Sequence, residues 1–233
     1  MTFQQIPEPH LTGTGSKLRD YILGSQDGLV NVLGLVLGLA IATRDARIVL
    51  IGGLAAAFAE SIAMAAVAYT SSKAVRDFYL SEVEREKREI EEVPETEREE
   101  IREIYRKKGF TDEELKMIVS RITSNKEVWL DTMMTEELRL FPEGYERPAL
   151  NGITVGIASL LGSFLPLAPF IFLGVANAIL TSVALSLIAL FIIGAIKARL
   201  TVGSWIRSGI EMGIIGIIAA LAGYVIGILL STL

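Results

Sequence analysis

Apolar positions along the chain fall into two blocks separated by a stretch in which almost every second residue is charged. Residues 21 to 43 (YILGSQDGLVNVLGLVLGLAIAT) are apolar for roughly the 20 residues that a bilayer core requires. After a short turn at Arg44 to Arg47, a second apolar run begins near Ile48. It passes through IGGLAAAFAESIAMAAVAYTSSKA with no helix breaker, which predicts one helix that leaves the membrane and continues to about Glu92. Three further spans follow the charged stretch, at about Leu150 to Leu173, Val175 to Ile196 and Ser208 to Leu230. The link between the first two of these is short enough to predict a tight hairpin. Glycines at 24, 28, 34 and 38 in the first span predict close approach of another helix, with Gly34 and Gly38 as a small-xxx-small pair.

Residues 73 to 147 hold 21 of the 27 acidic and 15 of the 22 basic residues, so the charge of the chain is concentrated in one insert. Pro94 breaks the helix entering it, residues 95 to 108 read as a second helix ended by Gly109, and Thr111 with Glu114 forms a capping box. That box opens a third helical region to about Leu140, broken near Ser124 and Asn125, and Pro142 and Gly144 return the chain to the membrane. The expected fold is all-α: an integral membrane protein of five transmembrane helices with a cytoplasmic helical metal-binding domain inserted between helices 2 and 3. Its divisions are a tail (1–20), helices 1 and 2 (21–72), the insert (73–147) and helices 3 to 5 (148–233). An inward N-terminus places Lys17, Arg19, the insert, Lys197, Arg199 and Arg207 in the cytoplasm and only Arg44 and Arg47 outside, as the positive-inside bias requires.

Composition narrows the chemistry. Hydrophobic residues make up 51% of the 233 and the mean hydropathy is +0.48, beyond an ordinary soluble domain. Cysteine is absent, which excludes disulfides, thiolate metal sites and thiol catalysis. The only histidine, His10, lies in the N-terminal tail, so imidazole-rich zinc sites and the Glu-x-x-His signature of di-iron bundles are missing. A metal site must therefore use carboxylates, thioethers, amides or water. The net charge of −5 argues against nucleic acid and favours cations. Residues 1 to 20 carry Glu8, Lys17, Arg19 and Asp20 without an apolar core, unlike a cleavable signal peptide.

Within the membrane, Glu60 is the most informative residue. An ionisable group at mid-span costs on the order of 3 kcal/mol unless it faces a cavity, a partner or an ion. Met64 lies one turn away, so FAESIAM offers a carboxylate and a thioether to one pathway, a set suited to a transition metal. A structural hydrogen bond for Glu60 and plain packing for Met64 are the competing readings. Asp27, one turn inside the first span and one turn before Asn31, could pass an ion or a proton, or cap the helix end. Glu211 and Met212 are weaker candidates, because Glu211 can pair with Arg207. Asn151, Gly162, Ser163 and the stretch from Pro166 to Pro169 could present backbone carbonyls to a cavity.

In the insert, Glu86 with Glu89 and Glu97 with Glu100 form i,i+3 pairs that point the same way on their helices. In Met133-Met134-Thr135-Glu136-Glu137, Met133 and Glu137 lie four apart on one helical face and place a thioether beside a carboxylate. Acidic residues interleaved with Arg and Lys also describe any solvated helix, and Trp129, Leu130 and Met133 can equally be the core of a small domain.

DGLVNVLGLVLGLA, FAESIAMAAVAYTSSKA, EKREIEEVPETEREEIREIYRKKGF, WLDTMMTEEL and GSFLPLAPF together resemble the vacuolar iron transporter family over about residues 20 to 230. The resemblance implies a homodimer of five-helix subunits with the ion path along the subunit interface. It also implies a cytoplasmic domain that gathers ferrous iron for export in exchange for protons. It places the soluble metal ligands on Glu86, Glu89, Glu97, Glu100, Met133, Met134 and Glu137, and the transport pathway on Asp27, Glu60 and Met64. The implied cargo is Fe2+, with Mn2+, Co2+ and Zn2+ accepted by the same ligand types, and there is no prosthetic group. The implied location is a multi-pass membrane protein of the plasma membrane in a prokaryote or the vacuolar membrane in a eukaryote. A proton-independent divalent-metal channel and a carboxylate-rich iron-oxidising or storage protein are the alternatives. The enzymatic one is disfavoured by the lack of histidine ligands.

Overall fold

The computed structural model describes residues 14–141, 147–201 and 203–231, with side chains described from residue 18 onward. Residues 1–13 of the tail, which include His10, and the Pro142–Gly144 turn lie outside the described residues. The described residues form helices joined by short turns, with no strand among them: α1 (Thr14–Thr43), α2 (Ala46–Glu92), α3 (Pro94–Lys107), α4 (Asp112–Thr123) and α5 (Lys126–Thr132), continued by a π-helical turn over Met133–Glu137. Then follow α6 (Pro148–Leu167), α7 (Pro169–Phe172), α8 (Val175–Leu200) and α9 (Trp205–Ser231).

Five segments are long and apolar enough to cross a membrane: Leu18–Thr43, Ala46–Glu92, Pro148–Phe172, Val175–Leu200 and Trp205–Ser231. Several helices outrun the apolar stretches that mark them. α1 begins at Thr14 rather than Tyr21, α8 continues to Leu200 rather than Ile196, and α9 begins at Trp205 rather than Ser208. Hydropathy reports where side chains turn apolar, whereas a helix continues for as long as good helix formers such as Leu, Lys and Arg extend its hydrogen bonds. The third span is split at Ala168, because Pro169 has no N–H for the preceding turn. The carbonyl of Pro166, a candidate for display to a cavity, instead accepts the Ser182 hydroxyl at 2.8 Å.

The chain divides into two compact units, one of Met1–Thr70 with Pro148–Leu233 and the other of Ser71–Arg147. In the first, α1 is central: it packs against α6, α9 and α8, and Val32, Val36 and Ala40 share a core with Val49, Ala57, Leu167 and Phe170. Glycine permits the contacts. A Cβ on Gly28 would lie 2.1 Å from the Ser159 carbonyl oxygen, and one on Gly223 would lie 2.0 Å from that of Gly34. Backbones that meet this closely leave a side chain no room, and between membrane helices such packing replaces the hydrophobic drive that lipid removes. Gly223→Ala is therefore expected to destabilise the α1–α9 contact by roughly 1–3 kcal/mol, the usual range for overpacking. A lowered thermal unfolding midpoint in detergent checks it.

At about 1.5 Å per residue, the 47 residues of α2 extend roughly 70 Å, more than twice the thickness of a bilayer core. Its C-terminal part supplies Ile90 to the core of the second unit, where Ile101 of α3, Val119 and Ile122 of α4, Trp129 of α5 and Met133 close around it. The capping of this unit is local. Pro94 opens α3, Gly109 at φ +96° lets the chain reverse after it, and the Glu114 carboxylate accepts from the Thr111 backbone N–H at 2.8 Å and its hydroxyl at 2.6 Å. Asn125 then caps α5, its side chain accepting from the Glu127 N–H at 2.8 Å.

Candidate metal centres

In the Ser71–Arg147 unit, α2 carries Glu86 and Glu89, α3 carries Glu97 and Glu100, and the π-helical turn carries Glu137. Glu86 and Glu97 are only 2% and 3% exposed, which is rare for carboxylates without a cation. Oxygens of Glu86, Glu97 and Glu137 all lie within 4.8 Å of one another. Oxygen ligands held about 2.1 Å from a divalent ion sit roughly 3 to 4 Å apart, so a small rotamer adjustment brings this triangle to coordination distance. The Oε2 atoms of Glu86 and Glu97 are buried and have no hydrogen-bond partner among the described residues. A buried acceptor left this way costs free energy unless something positive fills the site.

The electrostatics agree with the geometry. Burial, followed by the repulsion of Glu137 and Glu89, pushes the Glu86 carboxyl up to about 7. Burial, followed by Glu100 and Glu86, does the same to Glu97. Glu100 and Glu137 are raised as well, by partial desolvation and then by neighbouring glutamates, with Arg85 opposing the rise in both; Glu137 is nevertheless exposed, so for it the like charge of Glu100 and Glu89 is the firmer cause. The i,i+3 pairs are therefore not equivalent ligands: Glu86 enters the triangle, while Glu89 is ion-paired to Arg85 at 3.2 Å and acts on the cluster through its charge. Met133 is fully buried in the apolar core beside Trp129, and Met134 is 2% exposed in the same turn. A π turn inserts an extra residue into the helical repeat and is frequent at functional sites.

Two features of the site fall outside the sequence expectations: Arg85, which also pairs with Glu82 at 3.3 Å, and the pairing of Lys108 with Glu136. The first was visible as a basic residue four positions before Glu89. The second joins α3's end to the π turn and had no signal in the spacing.

Raised carboxyls give the site a definite pH dependence. The protonated cluster is the favoured one in the metal-free fold, so its contribution to stability is full below about pH 4.5 and is lost as pH rises through about 7. A metal needs the ionised form, so affinity rises over that same interval and binding expels protons. Titration calorimetry of the full-length protein in buffers of different ionisation heat should show more protons released per metal at about pH 6 than at about pH 8.

The membrane unit brings a second group together. Asp27 and Asn31 stand one turn apart on α1, and Glu60 faces them from α2. The Asn31 side-chain nitrogen donates to Asp27 Oδ1 at 3.2 Å and also to Glu60 Oε1. Asp27, Glu60 and Met64 are all half-buried, Met64 one turn further along α2 from Glu60. No Lys or Arg is ion-paired to Asp27 or Glu60 among the described residues. From Asn31, a groove of about 440 Å3 runs along Gly34 and Gly38 of α1 and Gly223 of α9. Glu211 is exposed on α9, and Met212 packs against Leu29 and Leu190.

Comparison with known proteins agrees over nearly the whole chain. The profile of the VIT family matches residues 18–228. The chain is 37% identical to "Vacuolar iron transporter 1" of Oryza sativa subsp. japonica over 219 residues, covering 94% of this chain and 86% of that protein. It is 38% identical to the protein of the same name from Arabidopsis thaliana, over 93% of this chain and 87% of that one. It is 31% identical to the "Vacuolar iron transporter" of Plasmodium falciparum, over 92% of this chain and 82% of that one.

Proposed function

The chain belongs to the VIT family, a family of transporters and not of enzymes, and from that premise we propose that it is a proton-coupled carrier exporting ferrous iron from the cytoplasm. The observation that carries the reading is the meeting of Asp27 and Glu60 on two membrane-spanning helices without an ion-paired cation among the described residues. Two carboxylates placed in a membrane at such cost are explained by a cation that visits them. Met64 adds a thioether, which suits a transition metal better than magnesium or calcium.

In this account the insert and the N-terminus are cytoplasmic. The Glu86, Glu97 and Glu137 carboxylates collect a hydrated ion, replacing part of its water with oxygen ligands, and Glu89, Glu100, Met133 and Met134 support its capture and release. The ion then passes by Asp27 to Glu60 and Met64. Protons arriving at those carboxylates from the far side release the metal and reset the carrier, since one carboxylate cannot hold both at full affinity. The functional unit is a homodimer with the path at the subunit interface. Mn2+, Co2+ and Zn2+ are further cargoes that these ligands accept. The protein acts in the plasma membrane of a prokaryote or the vacuolar membrane of a eukaryote.

The test is ferrous iron entry into proteoliposomes that enclose a quenchable metal-sensitive dye, under reducing conditions. Saturable quenching in vesicles holding the protein is expected, and quenching no faster than in empty vesicles overturns the reading.

A further inference from the structure

The Asn31 carboxamide holds the two membrane carboxylates together, and neither its residue type nor its position is accounted for by packing. Asn31 is exposed, so it fills no core, and a polar side chain at this depth in a span carries a penalty that a leucine would avoid. Its nitrogen has two N–H groups, and they are divided between helices: one to Asp27 on its own α1 at 3.2 Å, the other to Glu60, 29 residues away on α2. Both partners are acceptors when ionised, so the amide must present nitrogen to them and its carbonyl oxygen away from them. The NH2 group thus stands where a cation shared by Asp27 and Glu60 would bind, and supplies part of the positive field that a cation would.

We propose that Asn31 is a ligand-exchange residue of the membrane cation site: its NH2 bridges Asp27 and Glu60 while the site is empty, and its carboxamide turns over when the ion arrives, giving the ion its carbonyl oxygen. The inference rests on the carrier reading above. The turn is a rotation about the terminal torsion of asparagine, which is broad and roughly two-fold, so both orientations are accessible without moving the backbone. In the filled state the carbonyl is a hard, neutral oxygen donor that adds to the two carboxylates without adding charge. In the empty state the same side chain keeps the carboxylates paired, so the site does not collapse or repel itself as the carrier resets.

Two variants separate ligand from bridge. Asn31→Leu removes both donor and oxygen, and Asn31→Asp keeps an oxygen in the same place but has no N–H to bridge with. In proteoliposomes, Asn31→Leu is expected to raise the KM for ferrous iron by roughly 10- to 100-fold, the usual effect of losing a partner at a metal site, with a smaller change in maximal rate. Asn31→Asp is expected to keep a KM within about threefold of the parent, because the oxygen ligand remains. A residue that only braced the two helices predicts comparable losses in both variants, since neither leucine nor aspartate keeps an N–H to bridge Asp27 and Glu60. A parental KM in Asn31→Leu, or a KM in Asn31→Asp as poor as in Asn31→Leu, overturns the inference while leaving the carrier reading intact. If the parent protein itself carries no divalent metal, the carrier reading fails and the inference fails with it. Asn31→Ala serves in place of the leucine variant should that one unfold.

Discussion

Glu60→Gln is expected to lower ferrous iron transport by roughly 100-fold or more while leaving metal binding at the insert unchanged. Glutamine has the shape of glutamate, and its carbonyl still accepts the hydrogen bond that Asn31 gives to Glu60, so α1 and α2 keep their contact. What is lost is the negative charge and the ability to exchange a metal for a proton. A purely structural Glu60 predicts a variant that transports normally, because the hydrogen bond survives. Transport assays beside equilibrium metal binding on the same purified full-length variant separate the two, since the Glu86, Glu97 and Glu137 cluster belongs to the other compact unit.

Combining Glu86→Gln with Glu97→Gln is expected to abolish high-affinity metal binding and, with the same change, to stabilise the metal-free protein. Both carboxyls are held up to about 7 by burial and like charge, so ionising them works against the fold. Amides in their place have no charge to bury. The difference from the parent should be absent below about pH 4, where folded and unfolded carboxyls are both protonated, and grow through about pH 7 to a rise of roughly a few degrees in unfolding midpoint at about pH 8. Saturating divalent metal should close that gap from the parent's side, because the parent alone binds it. A double variant no more stable than the parent at about pH 8 would mean that the two buried carboxylates carry no electrostatic strain. Functional sites often hold such strain at the expense of stability.

The membrane helices were legible because a bilayer demands long apolar runs, and the small-residue spacing of α1 foretold close approach that Gly28 and Gly34 show against α6 and α9. Helix ends were less so, since Leu18 to Asp20 and Lys197 to Leu200 are polar enough to end a span yet continue a helix. The insert illustrates a different limit. Periodicity put Glu86 and Glu89 on one side of α2, but burial distinguishes them: Glu86 turns in towards Glu97 and Glu137, and Glu89 turns to Arg85. That choice depends on where α3 and the π turn pack, which spacing within one helix does not encode. Nor does any residue in MMTEE announce a π turn. Asn31 was passed over because an amide carries no charge to flag it, although it stands one turn from Asp27.

Proton-coupled export is best measured as ferrous iron uptake into proteoliposomes with and without an imposed proton gradient, while internal pH is recorded in the same vesicles. The gradient is expected to accelerate uptake, with protons moving opposite to the metal and both fluxes lost in Glu60→Gln. Uptake that ignores the gradient and moves no protons would contradict proton coupling and describe a channel instead.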